Sequence, residues 1–265
     1  MKELIVLKTT LRECGAVCRK FLGKVTYSLK GRANLLTKAD IASQKKASDI
    51  IGSAFPGHTI IAEEMKSFNY KKESLWIIDP LDGTTNYAHN FPVFSISIAF
   101  LKKGVPLLGG IYDPSRNEMF IGIRGKGSFL NSKKIRVSGT NRLSKSLLVT
   151  GFAYDRAEKA DFYCGFYSDF LKVSHDIRRT GAASIDMAWL ACGRTDGYWE
   201  FNLKPWDVAA GKLIVEEGGG KVTDFSGRNW SNLSDWGRET LVTNGKVHAE
   251  MLKIIKRKLV ATETQ

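Results

Sequence analysis

The chain has 265 residues, 43% of them hydrophobic and 25% charged, with 25 Gly and 6 Pro. This is the balance of a water-soluble globular protein and excludes a disordered chain, a collagen and a coiled coil. Forty basic against 27 acidic side chains leave a net charge of +13, a field that favours anionic partners: phosphorylated metabolites, RNA or a membrane surface. The excess is uneven, with 11 basic and four acidic residues over 1–58, and seven basic and no acidic residues between Glu118 and Asp155.

The length is enough to bury a core without staples. The four cysteines, at 14, 18, 164 and 192, form no C-x-x-C pair, and the four histidines, at 58, 89, 175 and 248, are scattered. Neither a disulfide framework nor a zinc site is expected. Cys14 and Cys18, four apart, read as small apolar residues on a buried helix face. The apolar run before Lys8 and Arg12 is too short for a signal-peptide core, and no later stretch approaches a membrane span. The expectation is a soluble protein of the reducing cytoplasm.

Apolar residues from Leu4 to Leu22 recur at helical spacing, and Gly23 follows as a stop, so a helix is predicted over 3–22. A second runs from about Thr37 to Ala54, ended by Phe55-Pro56-Gly57. Strands are predicted at 59–62 and 75–79. Runs at 94–101, 106–113 and 118–124, separated by turn residues, predict an antiparallel meander, with a further strand pair near 128–137. The second half alternates: strand 146–150, helix 158–173, strand 176–179, helix 182–192, strand 195–200, helix 206–217, strands 221–224 and 240–243, helix 246–259. This order predicts layered α/β packing. A single domain over 1–265 is expected, with any internal boundary in the basic stretch 125–145 or just after it, near 140–150.

The densest chemical signal is Trp76-Ile-Ile-Asp79-Pro80-Leu81-Asp82-Gly83-Thr84-Thr85-Asn86. Pro80 is expected to end a strand at Asp79, and Asp82 to sit near the cap of a helix. Free N–H groups of Gly83, Thr84 and Thr85 would then point from the helix N-terminus, an arrangement that receives a phosphate dianion. Alone, this could be a plain turn with solvated aspartates. Upstream, Glu63 and Glu64 follow a β run; downstream, Asp207 opens a helix after Pro205. Carboxylates gathered from separate elements repel one another unless cations sit between them, and oxygen ligands without His or Cys suit a hard ion such as Mg2+.

At these residues the chain resembles the inositol monophosphatase family: WIIDPLDGTTNY at 76–87 and WDVAAGKLIVEEGGG at 206–220 are similar to its two signatures. Lys30 to Asp40 is similar to a family segment ending in Asp, and Ala62-Glu63-Glu64 to its Gly-Glu-Glu. Asn34 stands where the family usually has Asp, Ala62 where it has Gly, and Met65 where it has a small residue. The resemblance implies an αβαβα sandwich of the inositol monophosphatase and fructose-1,6-bisphosphatase type, a homodimer, and Mg2+-dependent hydrolysis of a phosphate monoester with two to three ions per site. It makes Glu63, Asp79 and the Leu81 carbonyl ligands of one ion and Asp79, Asp82 and Asp207 ligands of a second, with Glu63 helping a third. It also implies that Gly83 and Thr84 bind phosphate and that Thr84 and Asp40 position the attacking water. Gly181, Ala183 and Glu200 would line the substrate pocket, with Asp82 and Asp207 also touching substrate.

Clustered metals and a helix N-terminus suit phosphate monoester hydrolysis without a covalent nucleophile. Inositol monophosphate is the expected substrate, because an acid at Glu200 accepts hydrogen bonds from polyol hydroxyls. Relatives acting on histidinol phosphate, fructose bisphosphate or sulfated nucleotides share the motifs and remain alternatives. A transcription- or RNA-associated regulator on the same fold is a second alternative, motivated by the +13 charge, although no RRM, KH or helix-turn-helix pattern is present.

Overall fold

Leu7, Leu11, Cys14 and Cys18 share one buried face of α1 (Lys2–Phe21), so the two cysteines pack as expected. The computed structural model describes residues 2–24, 27–29, 35–65, 68–70 and 72–263. The segment from Lys30 to Asn34 lies outside the described residues. A short antiparallel ribbon, β1 (Tyr27–Leu29) and β2 (Leu35–Thr37), leads into α2 (Lys38–Ala54). The Thr37 side chain caps α2 and the Asp40 carboxylate accepts the Thr37 N–H in return, a reciprocal cap of about 1 kcal/mol.

Strands β3 (Thr59–Ala62), β4 (Ser74–Asp82), β5 (Ser95–Lys102), β6 (Val105–Asp113), β7 (Glu118–Ile123), β8 (Gly127–Leu130) and β9 (Lys133–Ile135) form a seven-stranded sheet in chain order. Only β3–β4 is parallel; the rest is the predicted meander. The helix α3 (Thr84–Ala88) interrupts it between β4 and β5. One expectation fails here. Asp79 does not end β4, which runs through Pro80 to Asp82 with its register to β5 broken between Asp79 and Asp82. A proline that lacks an N–H is tolerated where the ladder is already broken. Asp82 does stand beside the cap of α3, which is Gly83, at φ 84° in the left-handed region that favours glycine.

After β9 the chain passes to a second sheet. Its elements are β10 (Leu147–Thr150), α4 (Ala160–Leu171), β11 (Asp176–Arg178), α5 (Ala183–Ala191), β12 (Gly197–Phe201), α6 (Pro205–Glu217), β13 (Lys221–Thr223), β14 (Glu239–Thr243) and α7 (His248–Glu263). The strand order is β11-β10-β12-β14-β13, with β10 parallel to both neighbours and the β12–β14–β13 side antiparallel.

Three large apolar clusters join the five layers, the middle one spanning two interfaces. One joins α1 and α2 to the first sheet through Leu11, Ile51, Trp76 and Ile98. A second holds α5 and α6 between the sheets through Ile77, Phe120, Met187, Ile214, Tyr198 and Val242. The third packs Phe166 and Phe170 of α4 and Met251 and Ile255 of α7 on the outer face of the second sheet. The expected αβαβα sandwich is the observed architecture. Because β4 is covered on both faces, its central residues are continuously apolar rather than alternating. Close approach of α6 to the first sheet depends on two glycines: a Cβ at Gly109 would lie 2.6 Å from the Ala210 carbonyl oxygen, and one at Gly122 would lie 3.0 Å from the Ile214 backbone. Among the described residues, no helix is long and apolar enough to cross a membrane.

Candidate active site

Residues from both sheets and from α3, α5 and α6 line a cleft of about 510 Å³. The parallel pairing of Ala62 with Ile78 brings Glu63, one residue beyond β3, beside Asp79, and the Glu63 N–H donates to the Ile78 carbonyl at 3.2 Å. The broken register at the end of β4 supplies Asp79, Leu81 and Asp82, and the first turn of α6 supplies Asp207. All five line the cleft.

The three aspartates have hydrogen-bond partners that fix them. Asp79 Oδ1 accepts the Leu81 N–H at 3.0 Å, and Asp207 Oδ2 accepts the Lys204 N–H at 2.7 Å. Asp82 Oδ2 accepts both the Ser184 N–H, at 2.7 Å, and the Ser184 hydroxyl, at 2.5 Å. Asp82 therefore sits at the N-terminus of α5, where the helix dipole favours negative charge. Loss of water raises Asp79 well above the usual carboxylate range, and Glu63, Asp82 and Asp207 raise it further by repulsion. Asp207 is also held well above that range, by loss of water first and then by Glu63 and Asp82. Asp82 is raised by burial, with the Ser184 bonds opposing.

The fit to a cation follows from this donor set. The groups are all oxygen, they repel, and a divalent ion relieves both repulsion and lost hydration. Among the described residues, no three His, Cys, Asp or Glu side chains converge into a ready-made metal cage; the acids face one cleft but lean on their own hydrogen-bond partners. Glu63, Asp79, Asp82, Asp207 and the Leu81 carbonyl are the groups present to hold Mg2+.

Thr84 opens α3 on the floor of the cleft. Its hydroxyl lies 3.1 Å from Asp40 Oδ1 and 2.9 Å from the Leu81 carbonyl oxygen. Asp40 is fully buried and its carboxyl is raised by that burial, against the opposing bonds from Thr37. Gly83, Thr84 and Thr85 line the cleft as the motif predicted, and the first N–H groups of a helix have no intrahelical acceptor.

Gly181, Ala183 and Glu200 also line the cleft. Gly181 has φ 88°, and a Cβ there would crowd the Asn86 amide at 3.1 Å. Burial pushes Glu200 up to about 7, against a lowering bond from Tyr198 and the nearby Arg179.

Sequence reasoning missed several cleft groups. Ser184 was hidden because its partner is 102 residues away, although a Ser in the first turn of a helix after Thr-Gly-Ala-Ala is a recognisable donor position. Asn86 lay within the quoted motif but was given no role. Its amide donates to the carbonyls of Val93 and Thr180, both at 2.8 Å, and ties α3 to the loop carrying Gly181. Tyr154, Arg156, Arg179 and Lys204 line the cleft from loops that carry no motif.

Comparison with known proteins places this geometry. The model of the inositol monophosphatase family matches residues 3–263. An inositol-1-monophosphatase of Synechocystis sp. is 44% identical over 243 residues, 89% of this chain and 83% of that protein. A putative Nus factor SuhB of Neisseria meningitidis serogroup B is 43% identical, over 88% of this chain and 89% of that protein. Among solved structures, the inositol monophosphatase of Anabaena (Nostoc) sp. PCC 7120 superposes with a TM-score of 0.85 at 42% identity, covering 96% of this chain and 95% of that one. An IMPase/NADP phosphatase complexed with Mg2+ and phosphate gives 0.83 at 26% identity, covering 95% and 93%.

Proposed function

The chain belongs to the inositol monophosphatase family of Mg2+-dependent phosphate monoester hydrolases, and from that premise we propose that its cleft hydrolyses the phosphate ester of a small polyol, inositol monophosphate foremost. The observation that carries the proposal is that Glu63, Asp79, Asp82 and Asp207, brought by three separate segments, line one cleft with the start of α3 and Glu200.

In this reading Glu63, Asp79 and the Leu81 carbonyl hold one ion, Asp79, Asp82 and Asp207 a second, and Glu63 assists a third. When bound, Mg2+ acidifies water and neutralises charge on the phosphoryl and leaving oxygens. The N–H groups of Gly83 and Thr84 receive phosphoryl oxygens as donors that need no reorganisation. Thr84 holds the attacking water, and Asp40 behind it takes up the proton shift through the Thr84 hydroxyl. Glu200 accepts from substrate hydroxyls, while Asp82, Asp207, Gly181 and Ala183 bound the space left for the alcohol. Residues 1–265 act as one catalytic unit in this proposal, since the cleft draws on both sheets.

Phosphate release from a panel tests the proposal: inositol 1-phosphate, 4-nitrophenyl phosphate, histidinol phosphate and fructose 1,6-bisphosphate, each with Mg2+ and after chelation. Inositol 1-phosphate should show the highest Mg2+-dependent kcat/KM among the three metabolites. A higher value for histidinol phosphate or fructose bisphosphate would replace the substrate, and release that survives chelation would remove the metal. The proposal also takes a cytoplasmic homodimer, which light scattering of the purified chain checks as a mass of twice 29.5 kDa. The SuhB-named relatives favour a second role in transcription. RNA binding whose affinity falls steeply with salt would support it.

A further inference from the structure

Tyr198 and Glu200 stand two residues apart on β12 and so share one face of the strand. The Tyr198 hydroxyl donates to Glu200 Oε2 at 2.5 Å, and the tyrosine is fully buried, so no water competes for that bond. In the neighbouring parallel strand β10, Thr150 pairs with Trp199. The next residue along, Gly151, therefore lies beside Glu200. A Cβ at Gly151 would collide with the Glu200 carboxylate. Its backbone is not in the left-handed region, so glycine is needed there for space alone. The carboxylate lies across a bare Cα, one oxygen is tied to Tyr198, and Oε1, to which no described residue donates, is left to the cleft that Glu200 lines.

We propose that Tyr198 and Gly151 are positioning residues for substrate choice, holding Glu200 so that a single carboxylate oxygen is presented to a polyol hydroxyl. The proposal rests on the reading of Glu200 as a hydroxyl acceptor. A free carboxylate samples several rotamers and loses part of its hydrogen-bond energy to ordering on each binding event; a tied one is ordered beforehand. Neither residue touches the acids assigned to the metals through any hydrogen bond described above, so their effect is confined to the alcohol half of the substrate.

The test compares kcat/KM for inositol 1-phosphate with that for 4-nitrophenyl phosphate, which has no hydroxyls to offer. Tyr198→Phe, which keeps the buried ring, should lower this ratio about fivefold, mainly through the KM of inositol 1-phosphate. Gly151→Ala should lower it about tenfold by displacing the carboxylate, and tests the same geometry from the neighbouring strand if the first variant does not fold. In a Glu200→Ala background, Tyr198→Phe should leave the ratio where Glu200→Ala put it. Equal losses on both substrates, or a Tyr198→Phe effect that persists without Glu200, would overturn the proposal. If Glu200→Ala lowers the ratio while Tyr198→Phe and Gly151→Ala do not, the positioning role alone fails. If Glu200→Ala leaves the ratio unchanged, the Glu200 reading fails and takes the proposal with it.

Discussion

Among the described residues, Asp40 meets the cleft through Thr84: the aspartate is fully buried, and its Oδ1 stands 3.1 Å from the hydroxyl of Thr84, which lines the cleft. The same carboxylate also caps α2 by accepting the Thr37 N–H at 2.8 Å. The two duties fall on different carboxylate oxygens, Oδ2 bonded to the Thr37 N–H and hydroxyl and Oδ1 to Thr84. Asp40→Asn should lower kcat about a hundredfold or more, as loss of a proton acceptor does. Thr37→Ala should cost about 1 kcal/mol of stability and change kcat less than about fivefold. Kinetics and thermal melts on the two variants check the separation; a Thr37→Ala enzyme as slow as Asp40→Asn would assign Asp40 to the fold alone.

Asp82→Asn should nearly abolish Mg2+-dependent hydrolysis while the metal-free protein melts at the same temperature or higher. The substitution removes one of several mutually repelling carboxyls and leaves a side-chain oxygen to accept from Ser184. Near-normal turnover at saturating Mg2+ would show that Asp82 is not a ligand.

Metal preference follows from the all-oxygen donor set. After chelation, Mg2+ or Mn2+ should restore activity, and Ca2+ should inhibit, because it is larger and accepts irregular coordination. Activity restored by stoichiometric zinc, with Mg2+ inert, would contradict the assignment of Glu63, Asp79, Asp82 and Asp207.

The pH dependence of stability carries a definite sign. Glu200, near 7 in the folded chain against 4.5 as a free side chain, stabilises the fold fully below about 4.5 and loses that contribution as pH rises through about 7. Asp79 and Asp207, also raised, act in the same direction. His248, lowered from 6.5 to about 4 by burial, acts oppositely, but its contribution is complete above 6.5. As the pH rises from about 6.5 through about 7, the melting temperature of the metal-free protein should therefore fall, and Mg2+ should raise it more at the upper end. Calorimetry in chelator and in Mg2+ measures both; a flat metal-free profile would mean that the acids are not crowded.

Glu200→Gln should lower kcat/KM for inositol 1-phosphate roughly tenfold to a hundredfold, on the scale of one charge-assisted hydrogen bond weakened to a neutral one. The loss on 4-nitrophenyl phosphate should be much smaller. Parallel kinetics decide the point, since equal losses would make Glu200 a support for the metal site or the fold.

What could be read from the sequence divides along a physical line. The strand 59–62 was located to the residue, because an apolar run bounded by turn residues needs no distant information. The last three residues of β4 were not, because a proline's prohibition applies to a regular ladder and nothing local announces that the ladder breaks at Asp79. The three-residue strands β1 and β2 are too short for periodicity to register, while the start of the five-residue α3 is marked by its turn residues instead. In the site, Glu63, Asp82 and Asp207 stand at or just beyond the end of an element, where a sequence pattern marks a position, whereas Asp79 lies inside β4 at the break in its register. Ser184 and Gly151 carry no such mark, since each meets its partner through helix docking or sheet pairing, and Tyr198, at strand spacing from Glu200, reads as a core residue until its hydroxyl is placed.

The two glycines under α6 have a bearing on how this enzyme can be altered. Asp207 lies in the first turn of that helix, and the helix rests on the first sheet at Gly109 and Gly122. A methyl group added at Gly109 must push against the Ala210 carbonyl, three residues along the helix from Asp207, and thus tilts the carboxylate relative to Asp79 on the sheet. Randomising only the cleft residues would leave this lever untouched, whereas a search for variants with changed ion preference has its finest adjustment at positions that never contact an ion or a substrate.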